Sequence, residues 1–379
     1  MPALDGVRGL AILLVMFHHF TILTPVSGVE RALASAAAMG RYGVDLFFVL
    51  SGCLITGILI DSRELPHYFR TFYTRRVLRI FPLYYALVAI TFLLVPSATR
   101  FLSADQARTV DAFLSPGDWP WFVAFCSNFL IAIRDRYTNG LLDASWSLAI
   151  EEHFYLVWPA LVLAIASLRR LRQLCLAVIV VVLILRIAAW AAGWSRLQIY
   201  VVTFTRLDAL AFGALVAIWM RSSAAEWSGR LRQAKPLSLA LLAVVLALWL
   251  TGQMEYTATV MNTIGYTLVG ALGMQVVIQA VPLDRGGFVG RLFDNRPMRF
   301  FGKYSYGLYM FQLPVKGALM LLFFNEARML SSALVWQGAF YALAGTMTTA
   351  AALVSWHLLE KNMLALKDRI AFTPAGQPS

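Results

Sequence analysis

Residues 173–193 read QLCLAVIVVVLILRIAAWAAG and contain a single charged side chain. A run of this length and composition can cross the hydrocarbon core of a bilayer as one helix, which takes about 17–25 residues. Runs of this kind recur along the 379-residue chain. They lie at 6–23, 42–61, 77–96, 147–168, 173–193, 200–220, 237–252, 259–281, 303–324 and 333–357. The sequence therefore predicts an all-α fold, a polytopic integral membrane helix bundle of about ten transmembrane helices.

The composition excludes several other classes of protein. Hydrophobic residues make up 60% of the chain and charged residues 14%, whereas soluble chains carry about 45–50% and about 25%. A chain of this size still exposes much of its surface, so the surplus cannot all be hidden in a core. We therefore exclude a soluble enzyme, a nucleic-acid-binding module and a disordered chain.

The net charge of +12 follows the predicted topology. Every second segment between the predicted spans is basic. These basic segments are 61–76, 169–172, 221–236, 282–302 and the tail from 358. Because Lys and Arg accumulate in cytoplasmic loops, the sequence predicts that both termini are cytoplasmic. No nucleic acid is needed to explain the charge.

The segment 97–146 is the long outer loop in this topology. It contains the aromatic residues of 119–122 and the apolar stretch 125–133, which is too short to span a bilayer. A re-entrant or interface-lying segment accounts for this pattern, and an ordinary aromatic belt is the alternative.

The first predicted helix carries Arg8 and His19. Eleven residues separate them, which gives about 16.5 Å of rise and about 20° of net rotation. They therefore share one face, with Arg8 near the cytoplasmic surface and His19 deep in the membrane. A buried histidine is suited to accept a proton near neutral pH, and the arginine suits a phosphate-bearing ligand. The alternative is a histidine satisfied by a neighbouring helix and a snorkelling arginine.

Three arginines lie at the cytoplasmic mouth of the third predicted helix. Arg75 and Arg79 are four residues apart and Arg76 and Arg79 three, so both pairs are neighbours on a helix. Arginine binds phosphate through paired hydrogen bonds, which predicts a phosphate-binding role. The cytoplasmic bias of basic residues is the alternative for at least one of them. Lys316, in the ninth predicted helix, either snorkels outward or lines a cavity.

The fourth predicted helix carries two adjacent carboxylates, Glu151 and Glu152, near its start. Tyr155 lies four residues after Glu151 and therefore on the same face. One carboxylate can complement the positive end of the helix dipole. The other can orient or polarise an imidazole, because carboxylates in a lipid-embedded helix are hard to explain by packing.

Asp45, near the outer end of the second predicted helix, is another candidate for orienting the imidazole, and a surface pair with Arg41 is the alternative. Ser51 and the glycine after it either line a site or permit close helix packing. In the sixth predicted helix, Arg206 and Asp208 predict a local ion pair.

Six blocks of the chain, in order from residue 4 to about 367, together resemble membrane acyltransferase family 3, the O-antigen and Nod-factor acetylase group. The blocks are LDGVRGLA at 4–11 continuing to His19, GVDLFFVLSGCLIT at 43–56, RRVLRIFPLYY at 75–85, WSLAIEEHFYLVWP at 146–159, RLDAL at 206–210 and GKYSYGLY at 302–309. One block alone is a weak signal, whereas six in order are a strong one.

The resemblance implies a multi-pass enzyme of the inner (plasma) membrane with no tightly bound cofactor and no metal. It transfers an acyl group, in the first instance acetyl, from cytoplasmic acyl-CoA to a hydroxyl of a sugar, glycolipid or secondary metabolite. The predicted acyltransferase domain spans 1–367 and the predicted tail 368–379, and a homo-oligomer is left open. The predicted lining of the site comprises Ser51, Trp146, Ser147, Tyr155, Arg206, Tyr306 and Tyr309.

In this hypothesis Arg8, Arg76 and Arg79, with Arg75 beside them, hold the nucleotide end of acyl-CoA. His19 is the general base or a transient acyl carrier, and Glu151 or Asp45 orients it. A transporter or flippase of an acylated or anionic lipid-linked substrate is the competing interpretation.

The chain departs from the family pattern at three places. His153 stands where family members often have Gln, Gln312 stands where they commonly have His, and Glu360-Lys361-Asn362 replaces Glu-Arg-Pro. The chain is also too short for the extracytoplasmic domain that many relatives append. We therefore expect the membrane domain or a separate partner to complete the transfer.

Overall fold

The computed structural model describes residues 2–281, 292–323 and 333–370. It is 84% helical, with no strand in these ranges. The helices are α1 (Pro2–Phe20), α2 (Gly28–Ala38), α3 (Gly43–Asp61), α4 (Tyr68–Ala89), α5 (Val95–Ala98), α6 (Ala104–Phe113), α7 (Trp119–Val123), α8 (Ser127–Arg134), α9 (Ser145–Ala164), α10 (Leu168–Ala191), α11 (Arg196–Val201), α12 (Leu207–Trp219), α13 (Ala224–Leu250), α14 (Tyr266–Ala280), α15 (Arg296–Lys303), α16 (Ser305–Leu322), α17 (Ala333–Ser355) and α18 (Lys361–Ile370). Parts of the predicted basic segment 282–302 and of the predicted tail 368–379 lie outside the described residues.

Seven helical segments of the described chain are long and apolar enough to cross a membrane. They are Ala3–Phe20, Gly28–Asp61, Tyr68–Phe101, Leu168–Ala191, Ala224–Leu250, Met261–Ala280 and Ala333–Leu366. The other three predicted stretches coincide with α9, α12 and α16, which have 20, 13 and 18 residues. The all-α membrane fold is thus confirmed, while the number of crossings and the cytoplasmic termini stay predictions.

The central helices α3 and α12 are in backbone contact. A Cβ atom on Gly52 would lie 2.0 Å from the carbonyl oxygen of Leu210, and one on Gly213 would lie 1.9 Å from that of Val49. Small residues allow helices in lipid to approach this closely, which increases their van der Waals contact. The contact fixes α3 and therefore the position of Ser51, which faces α9.

A similar contact joins α1 to α15. A Cβ atom on Gly9 would lie 2.1 Å from the carbonyl oxygen of Met298, and one on Gly302 would lie 1.7 Å from that of Asp5. The basic helix α15 is therefore held against the end of α1 that carries Arg8.

The segment 119–134 of the predicted outer loop packs into the bundle. Phe122 is fully buried, and its carbonyl oxygen accepts a hydrogen bond from the Tyr84 hydroxyl at 2.8 Å. Phe125 stacks on Tyr84 with 4.4 Å between ring centroids, and the Asn128 amide donates to the carbonyl oxygen of Val201 at 3.2 Å. This burial fits a re-entrant segment better than a surface belt.

Two fully buried ion pairs connect α3, α10 and α12. Arg206, at the start of α12, donates to Asp45 of α3 at 2.7 Å, and Arg186 of α10 donates to Asp208 at 2.7 Å. Thr267 of α14 also bonds Asp208 at 2.8 Å. The expected local pair of Arg206 with Asp208 is therefore wrong, because side chains two residues apart on a helix do not face each other.

The expected surface pair of Arg41 with Asp45 is also absent from the described structure. Asp45 is 1% exposed and faces Arg206, while Arg41 donates to the carbonyl oxygen of Ala38 at 2.7 Å. A carboxylate in an apolar interior is strongly stabilised by a buried guanidinium, so the longer-range pair is formed.

We predict that Gly213→Leu destabilises the protein. The added side chain must push α3 away from α12, and overpacking of this kind costs about 1–3 kcal/mol or more. The midpoint of thermal unfolding in detergent should fall clearly. Gly345→Leu in α17 is the matched control, because no atom lies within 4 Å of a Cβ there; equal midpoints for the two variants would contradict the α3–α12 contact.

We predict that Asp45→Asn lowers the free energy of unfolding by about 3–5 kcal/mol, because it leaves the Arg206 charge buried without its carboxylate. The double variant Asp45→Leu/Arg206→Met should regain most of this loss. Asp61→Asn is the control: its side chain is 62% exposed in its pair with Arg221, so it should cost about 0–1 kcal/mol. The measurement is again the midpoint of thermal unfolding in detergent. A midpoint for Asp45→Asn equal to that of the wild type contradicts the prediction.

Candidate active site

Two cavities meet at one end of α1. The first, here called the inner cavity, has a volume of about 190 Å³ and lies between α1, α3, α4, α9 and α16. The second, here called the vestibule, has a volume of about 610 Å³ and lies between α1, α4, α15, α16 and the turn after α17. Arg8, Arg79 and Tyr306 line both. The cavities are therefore adjacent parts of one site.

The inner cavity contains most of the residues that the sequence predicts for the site. The predicted residues that line it are Arg8, Ser51, Arg76, Arg79, Ser147, Glu151, Tyr155, Tyr306 and Tyr309. Arg75, Trp146 and Arg206 do not line either cavity. Trp146 is buried against Tyr200 with 4.6 Å between ring centroids, and Arg206 is engaged by Asp45. Arg76 and Arg79 lie on the face of α4 that lines the cavities, whereas Arg75 lies on a different face of that helix.

A carboxylate cluster forms the polar centre of the inner cavity. The Ser51 hydroxyl donates to Glu151 at 2.6 Å, and the Tyr155 hydroxyl donates to the other Glu151 oxygen at 3.1 Å. The guanidinium carbon of Arg76 lies 6.0 Å from the Tyr155 ring centroid. Glu151 therefore accepts two hydrogen bonds and lies within the electrostatic reach of Arg76 and Arg79.

The vestibule is strongly basic and partly aromatic. Its cations are Arg8, Arg79, Arg296, Arg299 and Lys303. Two carboxylates, Asp5 and Glu360, also line it, and Asp5 bonds Arg8 at 2.6 Å. The Lys303 ammonium lies 5.2 Å from the ring of Trp356. A surplus of cations beside aromatic rings suits a ligand with several phosphates and a planar base.

Sequence reasoning missed the part of the vestibule formed by α15 and by Trp356. The basic residues of α15 had been attributed to the cytoplasmic bias of charge, and Trp356 stands at the end of an apolar helix. The glycines that hold α15 against α1, above all Gly302, are the signal that could have indicated this contact.

His19 lies beyond the inner cavity. It faces the Gln312 amide and the Lys316 ammonium of α16. The part of α16 that lines the inner cavity runs from Ser305 to Met310, so His19 lies about one helical turn farther along. The Nδ1 atom of His19 and both amide heteroatoms of Gln312 are buried, and within the described chain none makes a hydrogen bond of normal geometry.

Tyr309 forms part of the wall of the inner cavity. Its hydroxyl is 2.6 Å from the Ser147 hydroxyl and donates to the carbonyl oxygen of Ala144 at 2.9 Å. Phe47 packs edge-on against its ring, with 6.1 Å between centroids. The wall of the inner cavity therefore includes a tyrosine that is held by hydrogen bonds.

Neither carboxylate predicted to orient the imidazole contacts His19 in this structure. Asp45 bonds Arg206, and Glu151 bonds Ser51 and Tyr155 at the level of the arginines. These side chains are held by their own partners on neighbouring helices. The structure instead places Gln312, which the sequence identified only as a departure from the family pattern, next to His19.

Comparison with known proteins gives the family of the chain. A family model described as an acyltransferase domain matches residues 1–356. The putative peptidoglycan O-acetyltransferase YrhL of Bacillus subtilis is 28% identical over an alignment that covers 95% of this chain and 54% of the relative. The peptidoglycan O-acetyltransferase OatA of Listeria monocytogenes is 27% identical, with 83% of this chain and 49% of the relative covered.

The chain thus spans about half the length of the curated relatives it matches. No solved structure matches it significantly. The family match covers almost all of the described helices, including all those that line the inner cavity, while Glu360 and Leu364 of the vestibule lie beyond it. The chain belongs to the acyltransferase-3 family of membrane proteins.

Proposed function

We propose that the chain is a multi-pass O-acetyltransferase of the plasma membrane, which moves an acetyl group from cytoplasmic acetyl-CoA to a hydroxyl of a cell-envelope saccharide. The observation that carries the proposal is the continuity of the basic vestibule with the narrow inner cavity through Arg8 and Arg79. The vestibule suits the phosphate-rich nucleotide of a coenzyme A thioester, and the inner cavity suits its slender pantetheine arm.

The vestibule accounts for the head of the donor. Its arginines can form bidentate, charge-assisted hydrogen bonds with phosphate oxygens. Phe300, Tyr304 and Trp356 offer ring faces against which an adenine can stack. Arg8 and Arg79 then lie where the phosphates give way to the pantetheine arm.

The inner cavity accounts for the arm and the thioester. Its walls combine apolar side chains of α3 with the cluster of Ser51, Glu151 and Tyr155. Glu151 balances part of the charge of Arg76 and Arg79, so in this proposal it acts on the path of the donor rather than on the imidazole. The thioester approaches His19 when the Tyr309 side chain turns away from Ser147.

The transfer needs one proton acceptor. As the acceptor hydroxyl oxygen attacks the thioester carbonyl carbon, its proton passes to His19, the new C–O bond forms and the C–S bond breaks. The proton is then delivered to the departing thiolate, so that the imidazole returns to its neutral form. In the alternative route the imidazole itself first accepts the acetyl group and then passes it to the hydroxyl.

The acceptor assignment rests on the relatives. Two of them are named for peptidoglycan, a cell-envelope glycan. A saccharide hydroxyl is therefore the acceptor we propose, in preference to a small secondary metabolite.

The donor assignment predicts that Arg76→Gln/Arg79→Gln raises the KM for acetyl-CoA by about tenfold or more, because each arginine loses a charge-assisted hydrogen bond. The measurement is the release of free coenzyme A thiol by the full chain in proteoliposomes with an added saccharide. Arg75→Gln is the matched control, since Arg75 lines neither cavity, and its KM should stay at the wild-type value.

An unchanged KM in the double variant overturns the donor site. Transbilayer movement of a labelled lipid-linked saccharide without any thiol release overturns the enzyme proposal in favour of a flippase.

The proposed base predicts that His19→Ala lowers kcat for acetyl transfer by about 100-fold or more, with little change in the KM for acetyl-CoA because His19 lies outside the vestibule. His357→Ala is the control: His357 is exposed and bonds the carbonyl oxygen of Leu353 at 2.8 Å. Full acetyl transfer by His19→Ala, measured as labelled acetyl on the saccharide, contradicts the mechanism.

A further inference from the structure

Basic side chains gather at the end of α1 that lies away from the vestibule. His18 and His19 are neighbours, with 5.3 Å between ring centroids. A Cβ atom on Gly40 would lie 3.0 Å from the Cβ atom of His18, so the neighbouring Arg41 lies close to this end of α1. Lys316 lies one helical turn after Gln312 on α16, and it acts electrostatically on both histidines.

No carboxylate neutralises this group in the described part of the chain. The salt bridges of residues 2–281, 292–323 and 333–370 include neither Arg41 nor Lys316. Asp45, four residues after Arg41, is engaged by Arg206. Since uncompensated cations are costly near the membrane interior, their retention indicates an anionic ligand.

Gln312 provides a second, independent observation. Its side chain is 0% exposed and is directed at His19, yet neither amide heteroatom makes a normal hydrogen bond within the described chain. A buried polar group without a partner is destabilising. The Nδ1 atom of His19 is buried and unpartnered too, so the two side chains leave hydrogen-bonding capacity that a ligand hydroxyl beside them can use.

The side-chain amide of Gln337, unlike that of Gln312, has hydrogen-bond partners. Gln337 of α17 donates to the carbonyl oxygen of Phe20 at 2.8 Å and accepts from the backbone N–H of Ile22 at 2.9 Å. It thus satisfies one carbonyl oxygen and one N–H group where α1 ends. The unpartnered state of Gln312 is therefore local to the place beside His19.

We propose that this place is the acceptor subsite and that it selects an acceptor with a negatively charged group. Lys316 and Arg41 bind a carboxylate or phosphate of the saccharide, and the hydroxyl that receives the acetyl group lies between His19 and Gln312. The proposal rests on the acetyl-transfer function proposed above. Donor and acceptor then approach from opposite ends of α1.

Two pairs of acceptors test the charge requirement with the full chain in proteoliposomes. N-acetylmuramic acid and its methyl ester differ in a carboxylate, and N-acetylglucosamine 1-phosphate and N-acetylglucosamine differ in a phosphate. The charged member of at least one pair should have a kcat/KM for acetylation about tenfold higher or more. The pair that shows the preference identifies the anion.

The variant Lys316→Met should abolish this preference, and Lys316→Arg should retain it. Lys235→Met is the matched control, because Lys235 is exposed on α13 and lines neither cavity. Gln312→Leu should lower kcat while the preference for the charged acceptor stays. Equal kcat/KM values within both pairs, or a preference that survives Lys316→Met, overturn the subsite.

Binding of the same four sugars to the detergent-solubilised full chain separates this proposal from the proposed function. Titration calorimetry should show about tenfold weaker binding of the charged sugar to Lys316→Met than to the wild type, whether or not acetyl-CoA is turned over. Failure of turnover with retained anion binding refutes only the acetyl-transfer function. Turnover without any difference in binding between charged and neutral sugars refutes only the anionic subsite.

Discussion

The arrangement depends on how charges are paired inside an apolar bundle. Asp45 with Arg206 and Arg186 with Asp208 are buried almost completely, and each pair joins helices that are distant in sequence. An isolated charge in such surroundings is far more costly than a pair. These contacts, together with the glycines between α3 and α12, form a rigid half of the bundle. The site is built where that half meets α1, α4, α9 and α16.

On the other side of α3, the charged side chains are not neutralised in simple pairs. Arg8, Arg76 and Arg79 share Asp5, Glu151 and Glu152 as nearby carboxylates, and the further cations of α15 make the vestibule positive as a whole. The two buried pairs of the core are thus each neutral, whereas the vestibule carries an excess of positive charge.

The sequence predicted well which segments are helical and that Arg76 and Arg79 lie on one face, because both signals are local. Long apolar runs define spans, and spacings of three or four residues place Arg76 and Arg79 on one face. The local ion pair predicted between Arg206 and Asp208 is wrong because their actual partners, Asp45 and Arg186, are 161 and 22 residues away. Spacing rules within one helix do not identify partners on another helix. The carboxylate expected beside His19 was likewise replaced by Gln312, whose proximity depends on the packing of α16 against α1. The vestibule was missed because its arginines had a sufficient explanation in topology.

Tyr309 has a consequence that concerns the cell rather than the reaction. A protein that admits a donor from one side and an acceptor from the other contains two half-channels, and a continuous passage between them would conduct protons and ions. The hydrogen bonds of Tyr309 to Ser147 and Ala144, backed by Phe47, hold its ring in the wall of the inner cavity. Under the proposed function, a tyrosine held in this way would keep the two approaches apart, so that the membrane would keep its electrical resistance and the cell its proton gradient.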